Sequence, residues 1–332
     1  MRGAKMKREV PDFCLRRRAS LGKLLALSAS ALAPFPAFAQ AGAKPDALRV
    51  GFQKGAAILV AAKAAGTLEK RMSKAGVSGV SWIEFQFGPP MLEAITARAA
   101  DLGAVGDTPP IFAQAGGGDI VYVLATGSSQ HGIVVQDDSP IRRLEDLRGK
   151  RVAFGKGSSA HNVVLKALRL AGLTYQDIRP IYLGPAEATA AFTGRKIDAW
   201  VIWDPYYALA EERLGARVIA DTGRIPELGS NSFYVANGHF VQRFPDAVRA
   251  ALDSFVETNR WADTHRDEIA ALLAKSTGLD LAIQKRATAR AVFDQTAFTD
   301  DVLNRQQETA DVFFRPGLIP AKVNIRAIVW RG

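Results

Sequence analysis

From Leu48 onward, short apolar runs rich in Val, Ile, Leu and Phe alternate with longer segments whose apolar positions recur every three or four residues. The runs predict strands and the segments helices, and their alternation predicts parallel α/β sheets. Residues 48–53 read as a strand followed by a helix over about 56–74, and 82–87 as a strand before a helix over 90–98. Residues 101–105 read as a strand leading into a helix at 111–115, with further apolar strands at 120–126 and 132–136. A second series begins at Pro140, with strands at 151–154, 181–183, 199–203 and 217–220. Its helices fall at 159–171, 186–192 and 206–214, the first stopped by Gly172. Residues 232–236 form the last clear strand. Beyond it Phe244, Val248, Leu252 and Phe255 open a helical tail. No internal repeat or low-complexity segment is evident, which argues against a solenoid.

The tail has no sheet of its own, so its apolar face must pack on one of the two series, and the first is the simpler choice. The expected class is therefore α/β, a two-lobed molecule with a mostly parallel sheet flanked by helices in each lobe. Two crossings, near Gln136 and near Asn231, would join residues 40–136 plus 232–332 as a discontinuous first lobe to 137–231 as the second. A ligand cleft is expected at the carboxyl ends of the strands.

The first 39 residues read as an address. Arg16, Arg17 and Arg18 precede a short apolar run over 21–33, and Ala37-Phe38-Ala39 supplies the small-x-small pattern of a signal-peptidase site. The run is too short for a membrane span and is followed by Pro34 and Pro36. Arg17-Arg18-Ala19-Ser20-Leu21 is an imperfect twin-arginine pattern, which leaves the export route open. Eight of the Lys and Arg residues and two of the Asp and Glu residues lie in this segment. It thus holds +6 of the formal +10, leaving +4 for the rest. Nucleic-acid binding loses its electrostatic support. Cys14, the single cysteine, would leave with the signal, and a chain without thiols suits an oxidising compartment. About 290 residues at 48% hydrophobic composition can bury a large two-lobed core.

Two turns carry the candidate chemistry. Gly106-Asp107-Thr108-Pro109-Pro110 and Lys156-Gly157-Ser158-Ser159-Ala160-His161-Asn162 each follow a strand-like run and open a helix. Such turns aim backbone N–H groups at one point in front of a helix dipole, where an anion binds. Two in different βα runs predict one anion held between two lobes.

These stretches resemble a known family. The segments 48–55, 106–115, 156–162 and 198–207 (Asp198-Ala199-Trp200-Val201-Ile202-Trp203-Asp204-Pro205-Tyr206-Tyr207) resemble, in order, the aliphatic sulfonate-binding periplasmic components of ABC transporters. The likeness reaches Ile319-Pro320-Ala321-Lys322-Val323-Asn324-Ile325 near the end. It implies a periplasmic protein that closes on a small aliphatic sulfonate, without cofactor or metal, and docks as a monomer to a membrane permease. Taurine, nitrate or another small organic anion is the alternative cargo. A thiamine-precursor pyrimidine fits less well, because the cysteine-rich motif of that family is absent.

A sulfonate is anionic at any physiological pH and carries only acceptor oxygens, so its pocket needs donors and no proton acceptor. Ser158 reads as an N-cap, leaving the amides of Ser159, Ala160 and His161 in the first turn, with the two serine hydroxyls beside them; capping alone is the plainer role. In the other turn Pro109 and Pro110 remove two amides, so the Thr108 hydroxyl and the Asp107 or Thr108 amide should donate. A carboxylate aimed at a sulfonate would repel it, so Asp107 is expected to face away or to bond across the cleft. Gln53 can offer its carboxamide or act as a spacer, and Ser129 with Gln130 can contribute from the first crossing. Trp200 and Trp203 fall on opposite faces of their strand. Trp203, nearer the strand end and next to Asp204, is the cleft candidate. The His161 imidazole is expected to be a satisfied polar group rather than a ligand contact. Enzyme readings find no G-x-S-x-G elbow, P-loop or H-E-x-x-H, and His131, His161, His239 and His265 lack zinc spacing. A Ser158–His161 nucleophile–base pair would sit within one helical turn with no orienting acid.

Overall fold

The computed structural model describes residues 44–127 and 129–332; the expected signal segment and Cys14 lie outside them. The chain runs through β1 (Ala47–Phe52), α1 (Ala57–Ala65), α2 (Thr67–Lys74), β2 (Gly79–Glu84), α3 (Gly88–Thr96), β3 (Leu102–Val105), α4 (Thr108–Ala115), β4 (Ile120–Thr126) and β5 (His131–Gln136). It continues through β6 (Arg151–Phe154), α5 (Ser159–Leu170), β7 (Arg179–Tyr182), α6 (Pro185–Thr193), β8 (Ala199–Trp203), α7 (Tyr206–Arg213), β9 (Ala216–Asp221) and β10 (Ser232–Asn237). The tail holds α8 (Gly238–Arg243), α9 (Pro245–Thr264), α10 (Arg266–Thr277), α11 (Leu281–Arg290), β11 (Gln295–Thr296) and α12 (Asp300–Phe314). The helix expected over 56–74 is two, because Gly66 turns left-handed at φ 63° and ends α1.

The strands form two mixed sheets, ordered β11-β4-β10-β3-β1-β2 and β7-β6-β8-β5-β9. In the first, β1, β2, β3 and β4 point one way and β10 and β11 the other. In the second, only β5 runs against its neighbours. The antiparallel strands β5 and β10 are the ones by which the chain enters each sheet from the other. Residues 131–136, assigned to the first lobe by the sequence, pair with β8 and β9 and so belong to the second sheet. The first crossing therefore lies between β4 and β5 rather than near Gln136. The misplacement has a simple cause: β5 is as apolar as the strand before it, and periodicity does not report which sheet a buried strand joins.

Both faces of the first sheet are covered. Along β10, Tyr234 and Ala236 pack with Leu48, Val50, Val248 and Phe255 beneath α1, α2, α9 and α10. Phe233 and Val235 face the other way, onto Met91, Ile111 and Phe313 of α3, α4 and α12. The alternation is the period-two rule at work. The second sheet is built around Trp200 and Phe154, both fully buried. Among the described residues no helix is long and apolar enough to cross a membrane.

The two sheets share a device that the sequence hid. At the start of β1 the Arg49 amide donates to Asp101 Oδ2 at 2.8 Å, and its guanidinium grips the same carboxylate and the Arg98 carbonyl. At the start of β6 the Arg151 amide donates to Asp198 Oδ2 at 2.7 Å, and its guanidinium grips Asp198 and the Arg195 carbonyl. Arg98 and Arg195 are the two non-glycine residues with positive φ among the described residues. The runs β1–α4 and β6–α7 thus share this device and the strand orders β3-β1-β2 and β8-β6-β7, a likeness of structure that the sequence does not show as a repeat. Few residues carry the likeness, and unequal spacing breaks it up.

Candidate functional site

Four turns at the carboxyl ends of β1, β3, β6 and β8 approach one another in crossed pairs. The β3 turn meets the start of α5: a Cβ on Gly106 would stand 2.6 Å from Ser159 Cβ. The β1 turn meets the end of β8: a Cβ on Gly55 would stand 2.8 Å from the Asp204 carbonyl oxygen and 3.2 Å from Trp203 Cδ1. Only glycine allows these approaches without displacing backbone or ring. The two anion turns therefore converge.

A cavity of about 160 Å³ lies among these turns. Six candidate residues, Gln53, Ser129, Ser158, Ser159, Trp203 and Asp204, line it. Three do not. Thr108 is fully buried, and its hydroxyl donates to Asp107 Oδ1 at 3.0 Å. Asp107, also fully buried, accepts from Asn162 Nδ2 of α5 and from Ser230, and faces Lys166. Its carbonyl accepts from Gln306 Nε2 at 2.6 Å. The β3 turn is thus a strut tying α4 to α5, α12 and the second crossing. Donation from Thr108 to a ligand is overturned, while the expected bonding of Asp107 across to α5 is what the structure shows. Burial pushes the Asp107 carboxyl above its ordinary range, against the pull of Lys166 and its donors.

His161 is the third. Its ring sits among Phe112, Phe154, Tyr175, Tyr182 and Phe313. Nδ1 accepts the Gly157 amide at 3.2 Å, so the proton rides on Nε2, which has no partner among the described residues. Burial, assisted by Lys156, pushes its pKa down to about 3. The ring is a packing element away from the cavity, but its unpaired Nε2 means it is not the satisfied polar group that was expected.

The donors that remain are mostly backbone. Ser158 is extended at the N-cap, but its hydroxyl donates to the Gly155 carbonyl at 2.7 Å rather than capping the helix. The His161 amide turns back to the Ser158 carbonyl at 2.9 Å. The Ser159 and Ala160 amides, first and second in α5, have no intrahelical acceptor and lie at the positive end of its dipole. The Gln53 carboxamide is held by the Ala104 carbonyl at 3.0 Å, which favours the spacer role over donation.

His131 was not singled out by the sequence, and it controls Ser159. Its Nδ1 lies 2.7 Å from the Ser129 carbonyl, which can only accept, so Nδ1 carries the proton. Nε2 is then an acceptor and takes the Ser159 hydroxyl at 2.8 Å. Burial, with Lys166 nearby, lowers its pKa to about 4. The register sets this up, because His131 of β5 stands opposite Trp203 of β8. The only sequence signal was a histidine at a strand start beside a serine-rich crossing.

The other side of the cavity carries several large apolar groups and is clamped. Trp203, Leu273, Ala287, Val292 and Phe293 line it, while Trp200 lies in the core, as its spacing predicted. Asp204 points out of the cavity wall to Arg290 of α11, which holds both carboxylate oxygens at 2.7 Å and also bonds Glu211 at 2.7 Å. The Arg290 guanidinium rests 3.7 Å from the Tyr207 ring centre. This network pins α11 to α7. Lys54 reaches the cavity from the β1 turn with its Nζ on the Thr277 carbonyl at 3.0 Å. Among the described residues no His, Cys, Asp and Glu cluster could hold a metal.

Residues 41–277 match the model of the NMT1-like family. An aliphatic sulfonates-binding protein of Escherichia coli is 42% identical over 315 residues, covering 94% of this chain and 95% of the relative. The chain belongs to this family of sulfonate-binding proteins. The crystal structure of the Escherichia coli periplasmic aliphatic sulphonate binding protein superposes with a TM-score of 0.75, covering 86% of this chain and 92% of that one. The alkanesulfonate-binding protein of Xanthomonas axonopodis pv. citri, bound to MOPS, is 35% identical with a TM-score of 0.82, covering 87% and 100%. The fold is that of these periplasmic binding proteins. Family membership accounts for the cavity at the meeting of two sheets; the chemistry of its walls belongs to this chain's own residues.

Proposed function

We propose that this protein captures aliphatic sulfonates in the periplasm and delivers them to the permease of an ABC importer. One observation carries the reading: the N-terminus of α5, with Ser159 at the wall, opens on a cavity that also presents Trp203, Leu273, Val292 and Phe293. A sulfonate head keeps its full charge and offers only acceptors, so amides and a dipole suit it and a carboxylate would repel it. The carboxylates of Asp107 and Asp204 are both turned to cations and donors elsewhere. Trp203 and its neighbours take the aliphatic tail, whose burial contributes about 0.8 kcal/mol per methylene. The lobes move about the connections between β4 and β5 and between β9 and β10, and the protein acts as a monomer with no catalytic step. The sulfonate-binding names of its relatives support the cargo, and the periplasmic relative supports the compartment.

Thermal-shift and calorimetric titration with methane- through hexanesulfonate, taurine, sulfate and nitrate tests this. The expected result is stabilisation by alkanesulfonates, rising with chain length, with ligand recovered unaltered. Stabilisation by sulfate or nitrate alone would contradict it.

A further inference from the structure

The far wall of the cavity carries two polar groups that no anion head requires. Asn259 of α9 is 7% exposed and lines the cavity, and its carboxamide has no hydrogen-bond partner among the described residues. Tyr234 of β10 is 4% exposed, lines the same cavity, and its hydroxyl likewise has no partner there. Their polar atoms are not sealed in the core either, for neither is among the fully enclosed, unsatisfied side-chain atoms. Both therefore open onto the cavity. They are also neighbours: the Tyr234 ring lies flat on Phe255 at 5.1 Å and 10°, and Phe255 precedes Asn259 by one helical turn on the same face of α9. Leaving a buried carboxamide and a buried phenol unpaired is costly, of the order of 1–3 kcal/mol each, unless something in the cavity pairs with them.

Resting on the sulfonate reading above, we propose that Asn259 and Tyr234 form a second polar subsite that recognises a neutral hydrogen-bonding group, a hydroxyl or ether oxygen, on the tail of the bound sulfonate. The α5 amides would hold one end of the ligand and this pair the other. The pair can donate and accept, which matches an oxygen that does both or accepts only. Lys54 and Asp294 bring opposite charges to the same cavity, so charge alone does not select a cationic or an anionic tail. The preferred cargo class is thus a tail-oxygenated alkanesulfonate rather than its unsubstituted parent. A site built with buried polar groups discriminates through them, since a ligand lacking the partner leaves them unpaired.

The test compares affinities by calorimetry for ω-hydroxyalkanesulfonates and their unsubstituted parents, from propane- to hexanesulfonate. The full chain, Asn259→Leu and Tyr234→Phe would each be titrated. At the chain length that spans the cavity the native protein should prefer the hydroxylated ligand by about tenfold, one charge-free hydrogen bond's worth. Each variant should bring that ratio close to one. Tyr234→Phe keeps the ring stack on Phe255, so its result stands even if Asn259→Leu folds poorly. A ratio near one at every length in the native protein, or a ratio that both variants leave unchanged, overturns the subsite while leaving sulfonate capture intact. Failure of the native protein to bind any of the sulfonates overturns the capture reading, and this inference with it.

Discussion

The turn after β3 and the turn that opens α5 look like equals in the sequence, each a short Gly-rich corner ahead of a helix, yet they do opposite work. The first has two prolines where amides would face a ligand, and its polar groups face inward: Thr108 onto Asp107, and Asp107 onto Asn162 and Lys166. The second follows its strand with Gly155 and Gly157 and sets Ser159, the first residue of α5, on the cavity wall. One corner is a strut and the other a receptor. The lesson is that a helix N-terminus marks an anion site only when its first amides survive and face a void; composition alone does not separate the two.

That contrast can be broken, and the largest effect should come from the strut. Asp107→Ala removes the acceptor of Asn162 and Thr108 and strands Lys166, which is bonded to the Gly229 carbonyl. The expected loss of stability is about 3–5 kcal/mol, as for other buried charges deprived of a partner. Thermal unfolding without ligand reads it, and a loss near zero would show that the β3 turn holds nothing. Next comes the contact between the corners. Gly106→Ala places a methyl against Ser159 and should weaken sulfonate binding about a hundredfold, some 2.7 kcal/mol, by holding the corners apart. Calorimetry checks it.

A pH series sharpens the comparison on the receptor side. His131 and His161 titrate near 4 and near 3 in the folded chain, below the ordinary 6.5. Between pH 6.5 and about 4 the unfolded chain therefore binds protons that the folded chain refuses. Stability falls as pH drops through that window, by about 1.4 kcal/mol per unit for each histidine, and is unaffected by them above it. His161→Phe fits the aromatic box and should remove about half of this difference; subtracting the two profiles cancels the carboxylates. Sulfonate affinity should stay flat from pH 5 to pH 9. The smallest effect belongs to Ser159→Ala, about 0.5–1 kcal/mol in affinity, because that hydroxyl already donates to His131.

Much of the fold was legible because alternating strands and helices write themselves in apolar periodicity, and Trp200 and Trp203 were separated by it. What failed depended on contacts distant in sequence. The sheet joined by β5, the strut role of Asp107 and the His131–Ser159 pair each turn on a partner many residues away. The likeness marked by Arg49–Asp101 and Arg151–Asp198 rests on too few residues to appear as self-similarity. Asn259 was invisible for another reason: in a helical run its polarity looks like a solvent face, and only its burial at the cavity reveals it.

The most direct test of the receptor claim is a crystal structure of the protein with butanesulfonate. The account predicts sulfonate oxygens within hydrogen-bond distance, about 3 Å, of the Ser159 and Ala160 amides, with the butyl chain on Trp203. A head group seated on the Lys54 ammonium instead, with the tail toward α5, would contradict it.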